Sequence, residues 1–471
     1  MSLTLFAWCC LFGGFTVLSF RRPVWGASLY FLTFFAAPEY WWWGGLLAGQ
    51  RLNLVAGLIF LAATIVGGLR LELGNSKACR WTCLAAFLIF VNATAVHFFL
   101  AAEPSTGYDK YVLLAKFTVL FFLMTAAVRT REDFRIIVVT LVFGLAYLGY
   151  ELMVNERGSS RLDGVGCPGA MGNGLANLVV VLVPLAGWLL FSPRKWEKAL
   201  GAFSAIAAIE ILGRCNTRAA FLALIGSACI VAVFAGRQFR RQAAISLLLG
   251  ALCLSFMIAR NTQVLDRFKT TFVSPEDRDA SASSRLVLWE CGWKMVRDYP
   301  LGSGAAAFKD SARGVHYKGG YHNWCLESGY FPNDRKAVHN GYINEAVEWG
   351  LQGLALKLLL IGSAVLCFYG TMVHRRRVGD ENLAFFGVCG LAAMVAYMLK
   401  AATGDSLDFE AVYWIAVVGI AYTKAYGPAS ESLIARPEAG TQRGAWSFAT
   451  PQKGVAASGG YSGSPGLWRE V

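Results

Sequence analysis

Residues 337–363 read AVHNGYINEAVEWGLQGLALKLLLIGS. The stretch begins as a polar loop and ends as an apolar helix. His339 stands at the changeover, followed by Asn340, Gly341 and Tyr342. Asn340 suits an N-cap, because its side-chain oxygen can accept from the first free backbone N–H groups. The positive end of the helix dipole disfavours an imidazolium, which favours a neutral His339 ring able to act as a base. The same dipole suits Glu345 and Glu348 in the first turns. For Glu345 that complement is explanation enough. Glu348 stands with Asn340 and Tyr342 as a candidate substrate-binding residue.

Outward from this stretch, the rest of the chain is mostly apolar. Of 471 residues, 56% are hydrophobic and only 15% are charged, with mean hydropathy +0.47. Soluble domains have about 45–50% apolar and about 25% charged residues. Apolar runs fall near residues 3–20, 24–37, 52–69, 81–100, 111–128, 134–153, 174–191, 199–213, 217–235, 243–259, 343–373, 382–402 and 410–426. A crossing needs about 20 apolar residues. The expectation is an all-α, polytopic transmembrane helical bundle over residues 1–426 with about 12 or 13 spans. The uncertainty in the count sits at Arg21-Arg22-Pro23, which alone separates the first two runs. EYWWWGG at 39–45 reads as an interfacial aromatic belt.

The net charge of +13 is distributed as punctuation between runs: RR at 21, RTREDFR at 129, PRKWEK at 193, GRQFRRQ at 236 and HRRRVG at 374. If the runs alternate, all five share one side. The positive-inside rule makes that side the cytoplasm, and no nucleic-acid patch is implied. The N-terminus lacks the basic n-region of a secretory signal. Residues 427–471, rich in Gly, Ser, Ala and Pro, should be a disordered cytoplasmic tail. The opposite side carries one large loop, about residues 260–342. Within it, SSRLVLWECGWKMVRDYP predicts an amphipathic helix. Ser284 is its cap, Leu286, Trp289, Trp293 and Val296 form its apolar stripe, and Pro300 ends it before an LGSG turn. Most of the twelve cysteines lie in apolar runs. Cys291 and Cys325 share the loop, where a disulfide is one option in an oxidising compartment.

Polar groups inside such a chain are costly, about 2.5–3.5 kcal/mol per charge at a helix centre, and so mark function. Arg161 lies before a Gly-rich turn that leads to Asn173. That turn reads as a tight hairpin or as a polar lid. Arg214 and Arg218 sit at the join of two runs. They read either as snorkelling anchors or as a clamp for a diphosphate, whose oxygens a guanidinium can bind in a fork. Arg285 lies on the loop helix and Lys116 within an apolar run, either snorkelling outward or pointing into a cavity. His316 and His322 share the loop with His339, but their spacing matches no common metal pattern, and no cofactor is implied. The Asp277-x-Asp279 spacing stands without a nucleotide-binding domain beside it.

Taken in order, these pieces resemble the O-antigen ligase family, which also holds O-antigen polymerases and bacterial O-glycosylation ligases. The resemblance rests most on SRLVLWECGWKMVRDYPLGSGAAAF and VHNGYINEAVEWGLQG within 284–353. They are similar to the family's Arg-x3-Trp helix, Pro-x-Gly-x-Gly turn and His-Asn-x-Tyr step. NTRAAFLAL resembles its Ser-Arg-Gly step, with Thr217 and Ala219 at the flanks, and RRPVWGASLYFLTFFAAPEYWWWG resembles the start of the O-glycosylation ligase branch. The resemblance implies metal-independent, inverting glycosyl transfer on the periplasmic face of the bacterial inner membrane. The donor is a glycan on undecaprenyl diphosphate and the acceptor a hydroxyl of lipid A-core or protein. Arg218 and Arg285 would hold the diphosphate, His339 would activate the hydroxyl, and Arg161 and Arg214 would support them. Two alternatives stay open: a polymerase, whose acceptor is another lipid-linked glycan, and a lipid or solute transporter. Transporters place binding groups near the midplane, often in inverted repeats, whereas here the polar groups gather at one face and no repeat is evident.

Overall fold

The computed structural model describes residues 2–73, 76–101, 103–154, 173–215, 217–260, 280–311, 319–329, 336–404 and 409–428. The predicted tail beyond residue 428, Arg161, His316 and the Asp277-x-Asp279 pair lie outside them. The described residues are helical, with no strand among them. Each apolar run forms a helix: α1 Leu3–Arg21, α2 Val24–Phe35, α3 Leu52–Val66, α4 Lys77–Ala95, α5 Pro104–Ala127, α6 Arg131–Val154, α7 Asn173–Leu189, α8 Lys195–Cys215, α9 Arg218–Phe234 and α10 Arg237–Arg260. The 260–342 segment contributes α11 Ala280–Asp298, α12 Ala307–Ser311 and α13 Gly320–Glu327. The chain then closes with α14 Gly341–Arg377, α15 Glu381–Ala401 and α16 Ala411–Tyr426. Six of these helices are long and apolar enough to cross a membrane, and three more are apolar but shorter. α2 is about 18 Å long, short of the roughly 30 Å hydrocarbon core. It is nonetheless wrapped by the bundle, with ten of its twelve residues buried.

Contacts tie the basic segments to one face. Arg22 pairs with Asp133 at 2.7 Å and with Glu132. Arg129 donates to the Gly67 carbonyl at 2.9 Å and Arg131 to that of Ala425 at 3.2 Å. Arg375 and Arg376 reach the carbonyls of Tyr426 and Phe234, and Asn382 reaches that of Phe191 at 3.2 Å. Most of these acceptors are the open carbonyls at helix C-termini, which need donors. The turns after α1, α3, α5, α7, α9, α14 and α16 therefore meet at one end of the bundle, and the opposite ends of these helices lie at the other.

Two sequence expectations change. The aromatic run is not a simple belt. Trp42 is exposed, but Trp41 and Trp43 are buried, and the Trp43 indole donates to Tyr147 and Glu151 at 3.1 Å each. The helix after His339 is not one rod. α14 counts 37 residues, about 55 Å if straight, but Gly350 (φ 79°, ψ 172°) breaks it into residues 341–349 and 351–377. The second piece is about 40 Å long and spans alone.

Candidate functional site

The short first piece of α14 carries the polar stretch. Asn340 caps it as expected: its side-chain oxygen accepts from the N–H groups of Tyr342 at 3.0 Å and Ile343 at 3.2 Å. His339, half-buried, precedes the cap at φ 55°. That left-handed conformation costs a non-glycine residue roughly 1–2 kcal/mol, so packing around the cap must hold it. Tyr342 adds a tether, its hydroxyl donating to the Met398 carbonyl of α15 at 3.0 Å.

The break at Gly350 is filled by the turn after α11. Ser303 N–H donates to the Val347 carbonyl at 2.9 Å and Gly304 N–H to that of Glu348 at 3.0 Å. Across the gap, Leu351 N–H donates to the Pro300 carbonyl at 2.9 Å. The Asn92 amide on α4 takes the Trp349 carbonyl at 2.9 Å. A helix end normally leaves such carbonyls open. Here the Pro300–Gly304 turn and α4 close them. A Cβ on Gly302 would stand 2.7 Å from the Gly350 nitrogen, and one on Gly350 2.5 Å from the Leu301 carbonyl carbon. The glycines of the turn and of the helix thus permit one backbone to lie against the other.

Both glutamates are engaged. Glu348 is buried; one carboxylate oxygen accepts from Ala306 N–H at 3.0 Å and the other from Lys110 of α5. Glu345 does more than complement a dipole. It lies 3.7 Å from Lys357, which also donates to the Tyr413 hydroxyl at 3.3 Å. In a straight helix, twelve residues separate Cα atoms by about 18 Å, so this contact follows from the bend at Gly350. Lys110 and Lys357 were not legible as partners of these glutamates, and Lys400 is likewise a lysine buried in an apolar run. Each sits in an apolar run or at its edge, where a lysine reads as a snorkelling side chain.

A compact apolar core joins the loop to this piece of α14. It contains Leu288, Cys291, Met295 and Val296 of α11, Phe308 of α12, and Ile343, Ala346 and Val347 of α14. Phe308 stacks on Tyr321 with centroids 4.3 Å apart, and Gly292 admits Ile343 so closely that a Cβ would stand 2.6 Å from it. The predicted apolar stripe of α11 is therefore rotated. Val296 faces the core and Trp289 flanks it, but Leu286 and Trp293 are exposed at 54% and 45%. Ser284 lies inside the helix rather than at its cap, because α11 starts at Ala280. Cys291 and Cys325 are free thiols in this core, and burial pushes the Cys291 thiol up to about 11.

Of the candidate arginines, Arg285 is half-buried on α11, the helix this core docks against His339's segment. Arg218 is half-buried as the first residue of α9, behind a buried Thr217. Arg214 ends α8 and pairs with Glu210 one turn earlier at 2.5 Å, a partner not anticipated from sequence. Lys116 sits on the exposed side of α5. Among the described residues, no three His, Cys, Asp or Glu side chains group as metal ligands.

Residues 203–358 match the sequence model of a family described as O-antigen ligase. The matched segment runs from within α8 into α14, past the break at Gly350. It includes Arg214, Arg218, Arg285, His339, Asn340, Tyr342 and Glu348 and leaves out Lys110, Lys116 and Arg161. No curated protein matches the chain.

Proposed function

We infer, for a chain that belongs to the O-antigen ligase family through residues 203–358, a membrane glycosyltransferase that moves a glycan from undecaprenyl diphosphate to an acceptor hydroxyl. The reaction is placed at the face opposite the basic segments, taken as periplasmic. His339 accepts the hydroxyl proton as that oxygen attacks the anomeric carbon. The bond from that carbon to the diphosphate oxygen breaks, and the configuration inverts. Arg218 and Arg285 meet the negative charge that grows on the leaving diphosphate. A fixed donor at such a position contributes about 10²–10³ in rate and a positioned base about 10²–10⁴. Arg161, Lys116, Asn340, Tyr342 and Glu348 remain candidate substrate contacts, and Arg214 supports them.

The observation that carries this reading is the shared core of α11 and the first piece of α14, within the matched segment, which sets Arg285's helix against His339's. The α14 break also supports an enzyme over a transporter. It lies one short helical piece in from the end of a long span, whereas transporter breaks lie near the midplane. The test is transfer from a lipid-linked oligosaccharide in purified membranes. His339→Ala is expected to lose at least about 100-fold of the rate at unchanged protein level, and wild type is expected to keep full activity in EDTA. Normal transfer by the variant, or strict metal dependence, would sink the mechanism. Mass analysis of the product reads the acceptor: a single transfer to lipid A-core or protein for a ligase, a lengthened lipid-linked glycan for a polymerase.

A further inference from the structure

On the basic face, away from His339 and the candidate arginines, a cavity of about 440 Å³ opens at the level of the basic turns. Ligand sites typically enclose about 300–1,000 Å³. Aromatic side chains line it: half-buried Phe191 and Tyr426, with buried Phe134 and Trp188 behind them. Its polar wall is fixed in place. Arg135 donates through Nε to the fully buried Glu197 at 2.6 Å and through Nη2 to Ser192 at 3.3 Å. The Asn382 amide is locked between the Trp188 indole and the Phe191 carbonyl, at 3.2 Å each. Asp380, also in the wall, caps α15 by accepting from Leu383 N–H at 3.0 Å. These groups are internally matched. The exception is the exposed Lys198, whose side chain has no ion pair or hydrogen bond among the described residues.

The cavity also sits where α6, α8 and α15 begin, so three helix dipoles turn their positive ends toward it. Arg240 and Arg241 follow Phe239, whose ring packs on Phe191 of the cavity, and they add positive potential. The combination is an unmatched cation beside a fixed polar wall and aromatic side chains, at the end of the bundle where the basic turns meet. Basic pockets between helix ends at this interface suit lipid phosphates.

We propose that this cavity binds the phosphate headgroup of an anionic phospholipid from the leaflet on the basic face, with Lys198 as the recognising charge. A soluble phosphate ester shares that chemistry and is separated by experiment. The assignment does not depend on the transfer reaction. The full-length protein in neutral detergent is titrated with phosphatidylglycerol, phosphatidylcholine and glycerol 3-phosphate, with binding read by native mass spectrometry and thermal shift. Phosphatidylglycerol is expected to bind at least about fivefold tighter than phosphatidylcholine, and Lys198→Ala to remove about that preference, the weight of one basic residue at an anionic surface. Lys195→Ala, on the same helix outside the cavity, is expected to leave binding unchanged. Equal affinity for the two lipids, or equal losses in the two variants, overturns the site. Glycerol 3-phosphate binding as tightly as phosphatidylglycerol overturns the assignment to a lipid.

Discussion

A single buried charge shows what is at stake around His339. The Glu348 carboxylate is held by Ala306 N–H and by Lys110, so it joins the loop, α14 and α5. Removing one partner of a buried pair costs about 3–5 kcal/mol, because the other charge is stranded. Lys110→Met should therefore lower the melting temperature in detergent strongly, and Lys110→Met with Glu348→Gln should recover part of the loss. No recovery in the double variant would show that the two do not couple. Cys291 gives a pH prediction. Its thiol rises from about 9 to about 11 on burial, so the folded loop favours the neutral form. The contribution to stability is present below pH 9 and is lost as pH rises through 11. Maleimide labelling of Cys291 should stay slow at neutral pH and accelerate above pH 9. Fast labelling at pH 7 would contradict the buried placement. At this scale the sequence announced Asn340 as the cap of α14 through its position. It hid Lys110 and Lys357, because a lysine's partner is set by packing between distant segments.

Helix α11 was anticipated, but its orientation was not. Leu286, Trp289, Trp293 and Val296 are a valid 3–4 repeat, but Leu288, Cys291 and Met295 form a second apolar stripe on the same helix. Periodicity cannot choose between two such faces. Gly292 decides it, because only the glycine side admits Ile343. Leu288→Ser should thus destabilise the loop by about 2–5 kcal/mol, as a large core deletion does, whereas Trp293→Ser should stay within about 0.5 kcal/mol, as exposed substitutions do. Limited proteolysis of the loop reads both, and the reverse order would refute the observed face. The Gly350 break was also not legible. A glycine in an apolar helix usually reads as tolerated, and its φ of 79° follows from the docked Pro300–Gly304 turn rather than from its neighbours in sequence. Gly350→Ala should loosen this turn at a cost of about 1–3 kcal/mol, visible as faster cleavage near residue 301.

At the scale of the molecule, the apolar runs and basic punctuation sufficed for the bundle, since burial of backbone and distribution of charge dictate both. The meeting of Arg22, Arg129, Arg131, Arg375 and Arg376 with helix ends gives the basic face a structural role beyond topology. Arg129→Ala should leave the Gly67 carbonyl without its donor and lower stability by about 0.5–1.5 kcal/mol, measurable by thermal unfolding in detergent. A change within error would mean that water replaces the contact. The closing of α14's carbonyls by the Pro300 turn bears on how the chain is made. Residues 299–308 leave the ribosome before Gly350, so they are made before the helix piece they dock on. Until that piece follows, their N–H groups have nothing to dock on. The arrival of α14 is therefore the event that seals the Pro300–Gly304 turn. A nascent chain stopped just short of that helix should remain open to protease near residue 301, from the far side of the membrane on the topology proposed above.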